Sequence, residues 1–406
     1  MSQPPMNTTR TCPYCGRDVV LGKLPIVATN FGDRLTGEPL DRPASGAEPL
    51  RWVGEWPVVA EAPLPASQTS NRGPIGRARE SLRGAMPLPR PTELAAFEDS
   101  PARLCTHDTC LTPLPAEIDT GRIFIVPVVG TVAAGKSSYL TVVLQQAWRE
   151  QRLARFGFEQ FTLDEQSVET YRQEYHRRLF RRKEILPGTQ FDEDVAKKPL
   201  VCRIQYEGSD PALLFLHDIG GEMLMDKSMR RRFGGFMRRA DAIIFLIDPV
   251  CLDRPDGRSW AERGVLHADD LDYPQGPLFR ACVEELEPGR RTPIAVTLSK
   301  SDLVADALPE IGRFLKEPSD RQDADEWNQD LSDLEQTVIR ALQGLSEWDL
   351  LNAQRMLDPE LISFHAVAAL GSNPQNGEVI DLAPQRCIDP LATVLFRIPA
   401  LTEPAT

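Results

Sequence analysis

The chain has 406 residues, of which 41% are hydrophobic and 26% charged, and a formal net charge of −13. That length suits one sizeable domain plus a smaller module, and the composition argues against wholesale disorder. The acidic balance disfavours general affinity for nucleic acid or anionic membrane, which comes from neutralising phosphates with Lys and Arg. No stretch approaches the roughly 20 apolar residues that span a bilayer, and the start lacks the apolar run of a secretory signal, so a cytoplasmic chain with protein partners is expected.

Eight cysteines in a reducing compartment read as thiols or metal ligands rather than disulfides. Cys12-Pro13-Tyr14-Cys15-Gly16 is a zinc-knuckle sequence, whose tight turn can place two thiolates on one metal. Cys105 and Cys110 supply a second, wider-spaced pair, with His107 able to stand in for one cysteine. Residues 1–23 and 100–116 are therefore expected to form the halves of a zinc ribbon around a structural Zn²⁺ with no open coordination position. A redox CxxC and unrelated free thiols are the competing readings, the first disfavoured because no βαβ pattern surrounds it. Residues 24–99, crowded with Pro, Gly, Ser and Ala and lacking periodicity, read as a flexible insertion. Closing the ribbon across it costs little more than across a short loop, because loop entropy grows logarithmically. Cys202, Cys251, Cys282 and Cys387 fall in or beside predicted core elements, where each reads as a small buried hydrophobe.

The main domain is expected over 119–402. From Arg122 onward, apolar runs of strand length alternate with longer amphipathic segments. Strands are predicted at 123–129, 200–206, 212–217, 242–247, 293–298 and 361–367, with helices at 137–155, 164–184 and 323–344. The linker at 207–211 is too short for a helical crossover, so the second and third strands must pair antiparallel. The expected fold is an α/β three-layer sandwich of the P-loop NTPase type, with a six-stranded, mostly parallel sheet containing one antiparallel strand.

Gly130-Thr131-Val132-Ala133-Ala134-Gly135-Lys136-Ser137 satisfies GxxxxGK[ST] between an apolar strand and an amphipathic helix, the context that motif requires. Backbone N–H groups from Gly130, Thr131, Ala133, Ala134 and Gly135 through the helix start at Ser138 can face phosphates, and Lys136 adds a cation. The Ser137 hydroxyl is a candidate Mg²⁺ ligand. A chance Gly-rich turn is the bland alternative. Thr189, in the loop Leu186-Pro187-Gly188-Thr189-Gln190, is a further candidate Mg²⁺ ligand, although any loop threonine would match equally well. The third strand delivers Asp218 to the carboxyl edge of the sheet, where it can hold Mg²⁺ through water. Asp218-Ile219-Gly220-Gly221 reads as DxxG, with Gly221 able to offer its N–H to a γ-phosphate. A strand-ending Asp that caps a turn is the alternative.

Ser299-Lys300-Ser301-Asp302 resembles the [NT]KxD base-recognition motif of GTPases. A carboxylate at Asp302 can accept from guanine N1–H and N2–H₂ together, donors that adenine lacks, and the Lys300 stem can cover the base. Ser299 departs from the usual Asn, and a plain helix-capping turn is the other reading. The last strand leads into Ala366-Val367-Ala368-Ala369-Leu370-Gly371, similar to a degenerate SAK-type loop in which the backbone N–H of Ala369 would meet guanine O6.

This ordered set resembles the TRAFAC class of P-loop GTPases over about 122–398. Within that class, LPGT, HDIGGE, LIDP and AVAALG resemble the bacterial double-GTPase type 2 domain. The resemblance implies a Mg²⁺-dependent, GTP-binding and GTP-hydrolysing molecular switch acting in bacterial conflict or signalling systems, with unknown protein partners that include a second GTPase copy. Glu222 stands where many GTPases carry a water-orienting Gln, so slow hydrolysis without a partner is expected, with Lys136, Thr189 and Glu222 as the catalytic set. Lys227, Arg230, Arg231, Arg232, Arg238 and Arg239 follow, as a solvated face or as a partner-docking or arginine-finger stretch. A GTP-gated zinc-ribbon adaptor with little hydrolysis, and a P-loop ATPase or small-molecule kinase, stay open as other functions.

Overall fold

A computed structural model describes residues 8–24, 26–27, 51–53, 56–58, 102–107, 110, 112, 114–131, 133–186, 199–225, 235–252, 275–315, 324–345, 350–352, 355, 357–375 and 377–402. The chain divides into two compact units, 1–121 and 122–406. In the first, β1 (Thr9–Thr11) and β2 (Asp18–Val20) form an antiparallel hairpin. The short strands β3 (Ile26–Val27), β4 (Arg51–Val53), β5 (Trp56–Val58) and β6 (Ala102–Arg103) form a sheet in the order β4-β5-β3-β6, and α1 (Glu117–Thr120) follows. Buried Arg103 ties the unit's two sequence halves together, donating to Asp119 at 2.7 Å and to Leu21 O at 2.8 Å. Most of the predicted insertion at 24–99 lies outside the described residues.

The second unit is built on a seven-stranded sheet in the order β13-β12-β11-β7-β10-β9-β8. Its strands are β7 (Ile123–Gly130), β8 (Phe158–Leu163), β9 (Leu200–Tyr206), β10 (Ala212–Gly220), β11 (Ile243–Ile247), β12 (Ile294–Leu298) and β13 (Ile362–Ala366). β9 is antiparallel to both β8 and β10, and the remaining pairings are parallel, so only β9 runs against the others. The turn at 207–211 forces that reversal, as the sequence predicts. The sheet nevertheless has one strand more than the six expected. β8 adds to the outer side of β9, where its Phe158, Phe161 and Leu163 are buried, the first brought to the same side by an irregular register after it.

The helices are α2 (Lys136–Leu144), α3 (Glu165–Thr170, continued as a π-helical stretch Tyr171–Arg181), α4 (Gly221–Met225), α5 (Gly235–Arg238), α6 (Gln275–Glu285), α7 (Ser301–Val304), α8 (Pro309–Phe314), α9 (Ala324–Gly344), α10 (Ile388–Phe396) and α11 (Pro399–Thr402). The period-2 pleat of β7 sorts the core into two layers. Phe124, Val126 and Val128 share a cluster with Leu140 and Val143 of α2 and Leu391 and Leu395 of α10. Ile125 and Val129 share the other with Leu278 and Phe279 of α6 and Leu334 and Val338 of α9. Pro127 has no N–H to give within this central strand, and pairing with β11 begins only at Val128. Two residues earlier the Ile125 N–H goes instead to the Asp241 carboxylate, at 2.7 Å. Among the described residues no helix is long and apolar enough to cross a membrane.

Candidate functional site

Register places the candidate segments on one edge of the sheet. Gly130 lies opposite Gly220 of β10 and Leu246 of β11, Leu246 opposite Thr297 of β12, and Thr297 opposite His365 of β13. The residues that follow each strand therefore emerge side by side at the carboxyl edge, where open α/β sheets bind ligands.

After β7 the chain must turn sharply, and the backbone shows how. A Cβ on Gly130 would sit 2.7 Å from Leu246 O, so only glycine fits there. Ala133 (φ 61°) and Gly135 (φ 81°) take left-handed conformations before α2 begins. Lys136, Ser137 and Ser138 occupy the first turn of α2, where N–H groups have no helical acceptor. Lys136 is buried, and its ammonium donates to Gly130 O at 3.0 Å and Thr131 O at 2.7 Å. An anion in the loop would offer that cation a stronger, charge-assisted partner than these carbonyls. Thr131 Oγ1 and Ala134 are also buried. Ser137 Oγ donates to Asp218 Oδ2 at 2.8 Å, which brings a hydroxyl and a carboxylate together, the hard oxygen donors Mg²⁺ prefers. A Cβ on Gly221 would stand 3.0 Å from Gly130 O, so its backbone is packed against the loop. The backbone of Glu222 lies in α4, but its side chain, Thr189, Val132, Lys227 and Arg230 to Arg232 lie outside the described residues. Arg238 lies 3.8 Å from Glu285 and Arg239 pairs with Glu287, so both are engaged by their own chain.

Beyond β12, Ser299 donates to Ile247 O through both its N–H (2.9 Å) and its hydroxyl (2.8 Å), so a serine suffices to fasten this loop to the end of β11. Lys300 adopts a left-handed conformation (φ 46°), and its ammonium lies 2.6 Å from Asp248 Oδ2. Asp248 is 1% exposed at the end of β11, and its Oδ1 accepts from the Val250 N–H at 3.0 Å. Its backbone N–H and C=O are both bonded by the buried Gln275 side chain, at 2.6 and 2.7 Å. Burial raises the Asp302 carboxyl above the usual range, opposed by its own backbone N–H, the Lys300 charge and the Leu303 N–H. The Ser301 N–H donates to Val367 O at 3.1 Å, joining this loop to the one that carries Ala369. Around Ala369, Ala368 pairs both ways with Gln385 (3.1 and 2.8 Å), and Gly371 (φ 74°) passes so close to Ala383 O that a Cβ would lie 2.0 Å from it. The LIDP run contains Asp248, yet motif reading gives that residue no role of its own, and Gln275 carries no motif signal at all.

In the first unit, Cys12, Cys15, Cys105 and Cys110 gather with all four sulfurs within 4.8 Å of one another. Cys12–Cys110 and Cys15–Cys105 are 3.8 and 3.9 Å apart. A tetrahedral thiolate site with metal–sulfur bonds of about 2.3 Å has sulfur–sulfur edges of about 3.8 Å, so the donor set fits zinc. Burial pushes the Cys12 thiol up, while S–H donation, foremost from Cys105, pulls Cys110 down. His107, the alternative ligand, is not in the cluster: its Nε2 lies 3.2 Å from Asp18 O, and the four expected cysteines gather without it. Cys202, Cys282 and Cys387 are buried, and burial raises the Cys282 thiol to about 12. Cys251 is part-exposed.

The sequence profile of the Double-GTPase 2 family matches residues 124–343, more than half of the chain. SaeC of Mycolicibacterium smegmatis strain ATCC 700084, a proposed ESX-1 scaffolding and assembly protein, is 24% identical over 332 residues, which cover 76% of this chain and 83% of that protein. Among solved structures, the nucleotide-analogue-bound Arl6 (BBS3) small GTPase of Trypanosoma brucei is 11% identical over 69% of this chain and 99% of its own, with a TM-score of 0.28. Era of Aquifex aeolicus is 12% identical over 70% of this chain and 58% of its own, also with a TM-score of 0.28. Both structural likenesses are weak.

Proposed function

This chain belongs to the Double-GTPase 2 family, and from that premise we propose that it is a Mg²⁺-dependent GTP switch that hydrolyses GTP slowly and takes part in a bacterial conflict or signalling system. One observation carries the reading. The Lys136 and Ser137–Asp218 constellation and the Lys300–Asp302 loop stand on the same sheet edge, two strand spacings or about 10 Å apart. One nucleoside triphosphate can engage both. Lys136 and the first-turn N–H groups of α2 would hold the phosphates, with Ser137 and Asp218 on Mg²⁺. Asp302 would read guanine, and Ala369 would approach from the loop tied to it. Thr189 and Glu222 complete the proposed catalytic set, the second as a carboxylate in place of a water-orienting amide. The cysteine cluster is proposed to hold a structural Zn²⁺.

The likeness to SaeC supports a second reading, in which the chain is a GTP-gated scaffold with little turnover. Multiple-turnover phosphate release from Mg·GTP separates the two. Turnover that disappears in Lys136→Ala supports the enzyme, and GTP binding without turnover supports the scaffold. Absence of GTP binding contradicts both.

A further inference from the structure

The π-helical continuation of α3 is strongly two-faced. Tyr171, Tyr175 and Leu179 recur every four residues on its buried side, and the Tyr171 hydroxyl donates to Thr141 O of α2 at 3.0 Å. On its other side Arg172, Arg177, Arg178, Arg181 and Arg182 are all exposed. Only Arg182 has an ion-pair partner among the described residues, Glu184 at 3.9 Å. Over 171–184 there are six Arg and Lys against two carboxylates, in a chain of net charge −13. The local field is positive enough to help depress His176, where burial acts first and Arg181, Arg149 and Arg172 follow. Such a concentration of guanidinium groups, four of them without an ion-pair partner among the described residues, suits an anionic partner on an otherwise acidic protein.

Two further features identify what kind. Ile185 and Ile380, 43% and 49% exposed, are two of the three large hydrophobics left exposed among the described residues. They flank one backbone pairing at the end of this helix, in which Ile185 N–H donates to Gly377 O at 3.1 Å and Val379 N–H to Lys183 O at 2.7 Å. Exposed isoleucine beside a face with five arginines and a single lysine matches the make-up of protein interfaces, which favour Arg over Lys. Single-stranded nucleic acid binding needs rings on which bases can stack. The helix offers none in the open: Phe180 is part-buried and stacks on His176 with centroids 5.0 Å apart.

We propose that this arginine face, with Ile185 and Ile380 at its end, docks an acidic segment of a partner protein.

The test uses the full chain and a labelled peptide of about twenty residues repeating Glu-Glu-Leu, with its Gln-Gln-Leu counterpart, followed by fluorescence anisotropy. The acidic peptide is expected to bind and the neutral one not, and added salt is expected to weaken the complex. Arg178→Glu/Arg182→Glu is expected to weaken binding by about tenfold or more. Arg313→Glu/Arg355→Glu, an equal change of charge on exposed residues elsewhere, is expected to leave binding within about twofold. Circular dichroism confirms that both variants are folded. Equal loss in the two variants overturns the proposal, as does tighter binding of wild type to oligo(dT) or to phosphatidylserine vesicles. Self-association that only the helix variant abolishes also overturns it, because the occupant is then a second copy. None of these outcomes depends on nucleotide, so the face and the GTPase reading can fail separately.

Discussion

Asp248→Asn isolates the contribution of the ion pair beneath the proposed base-reading loop. Asn keeps the oxygen that caps Val250, and Gln275 bonds only to the backbone of residue 248, so the end of β11 stays closed. What is lost is the charge-assisted hydrogen bond to Lys300, now 2.6 Å long. Hydrogen bonds to charged groups contribute about 1.5–3 kcal/mol. Lys300 is 29% exposed and water replaces part of the lost partner, so the lower end applies, about 1.5 kcal/mol or roughly a tenfold weaker hold on the base. Because the pair lies at the proposed base end, GTP and GDP should weaken together, and Lys300→Ala should add little to the Asn variant. Titration calorimetry with both nucleotides, alongside a thermal melt, reads this. Unchanged affinity for both nucleotides refutes the reasoning, and so does weakening confined to GTP.

Three further outcomes follow from the geometry. Purified chain should carry about one zinc per molecule by elemental analysis; Cys110→Ser should lose it, and a metal-free wild type that melts identically with and without added zinc would contradict the structural role. Gly221→Ala should lower stability by about 1–3 kcal/mol, because its Cβ would meet Gly130 O at 3.0 Å and Leu278 Cδ2 at 2.9 Å; a denaturant midpoint equal to wild type would show that the loop yields freely. Burial pushes His365 down to about 3 from 6.5, so the unfolded chain binds its proton first. Stability should therefore fall as pH drops from about 6.5 towards about 3, at up to about 1.4 kcal/mol per pH unit. His365→Gln should flatten that part of the profile, and an unaltered slope would assign it elsewhere.

The sheet was largely legible because its strands are short apolar runs punctuated by turns: those predicted at 200–206 and 212–217 are observed as Leu200–Tyr206 and Ala212–Gly220. The helix expected at 323–344 is Ala324–Gly344, whose Trp327, Leu334, Val338 and Leu342 keep helical spacing and are buried. β8 escaped because Glu159, Gln160 and Thr162 dilute its three apolar residues and an irregular register follows Phe158. α6 and α10 escaped because Pro277 and Pro390 resemble breaks, although proline is tolerated in a first helical turn. In the candidate site, local motifs named Lys136, Asp218 and Asp302 because their spacing is short. Asp248, although inside the LIDP run, had no assignable role in the sequence because the partner that gives it meaning, Lys300, lies 52 residues away. The cysteine cluster shows the opposite case, with Cys12 and Cys110 joined across 98 residues because thiols in pairs announce themselves.

The most direct test of a guanine site is competition among GTP, ATP and XTP for the purified chain with Mg²⁺, in wild type and in Asp302→Asn. Preference for GTP in wild type, shifting towards XTP in the variant because an amide can donate to the extra carbonyl, is the predicted result. Equal competition by ATP in wild type, with no shift in the variant, would contradict it and leave Ser299 to Asp302 as a turn.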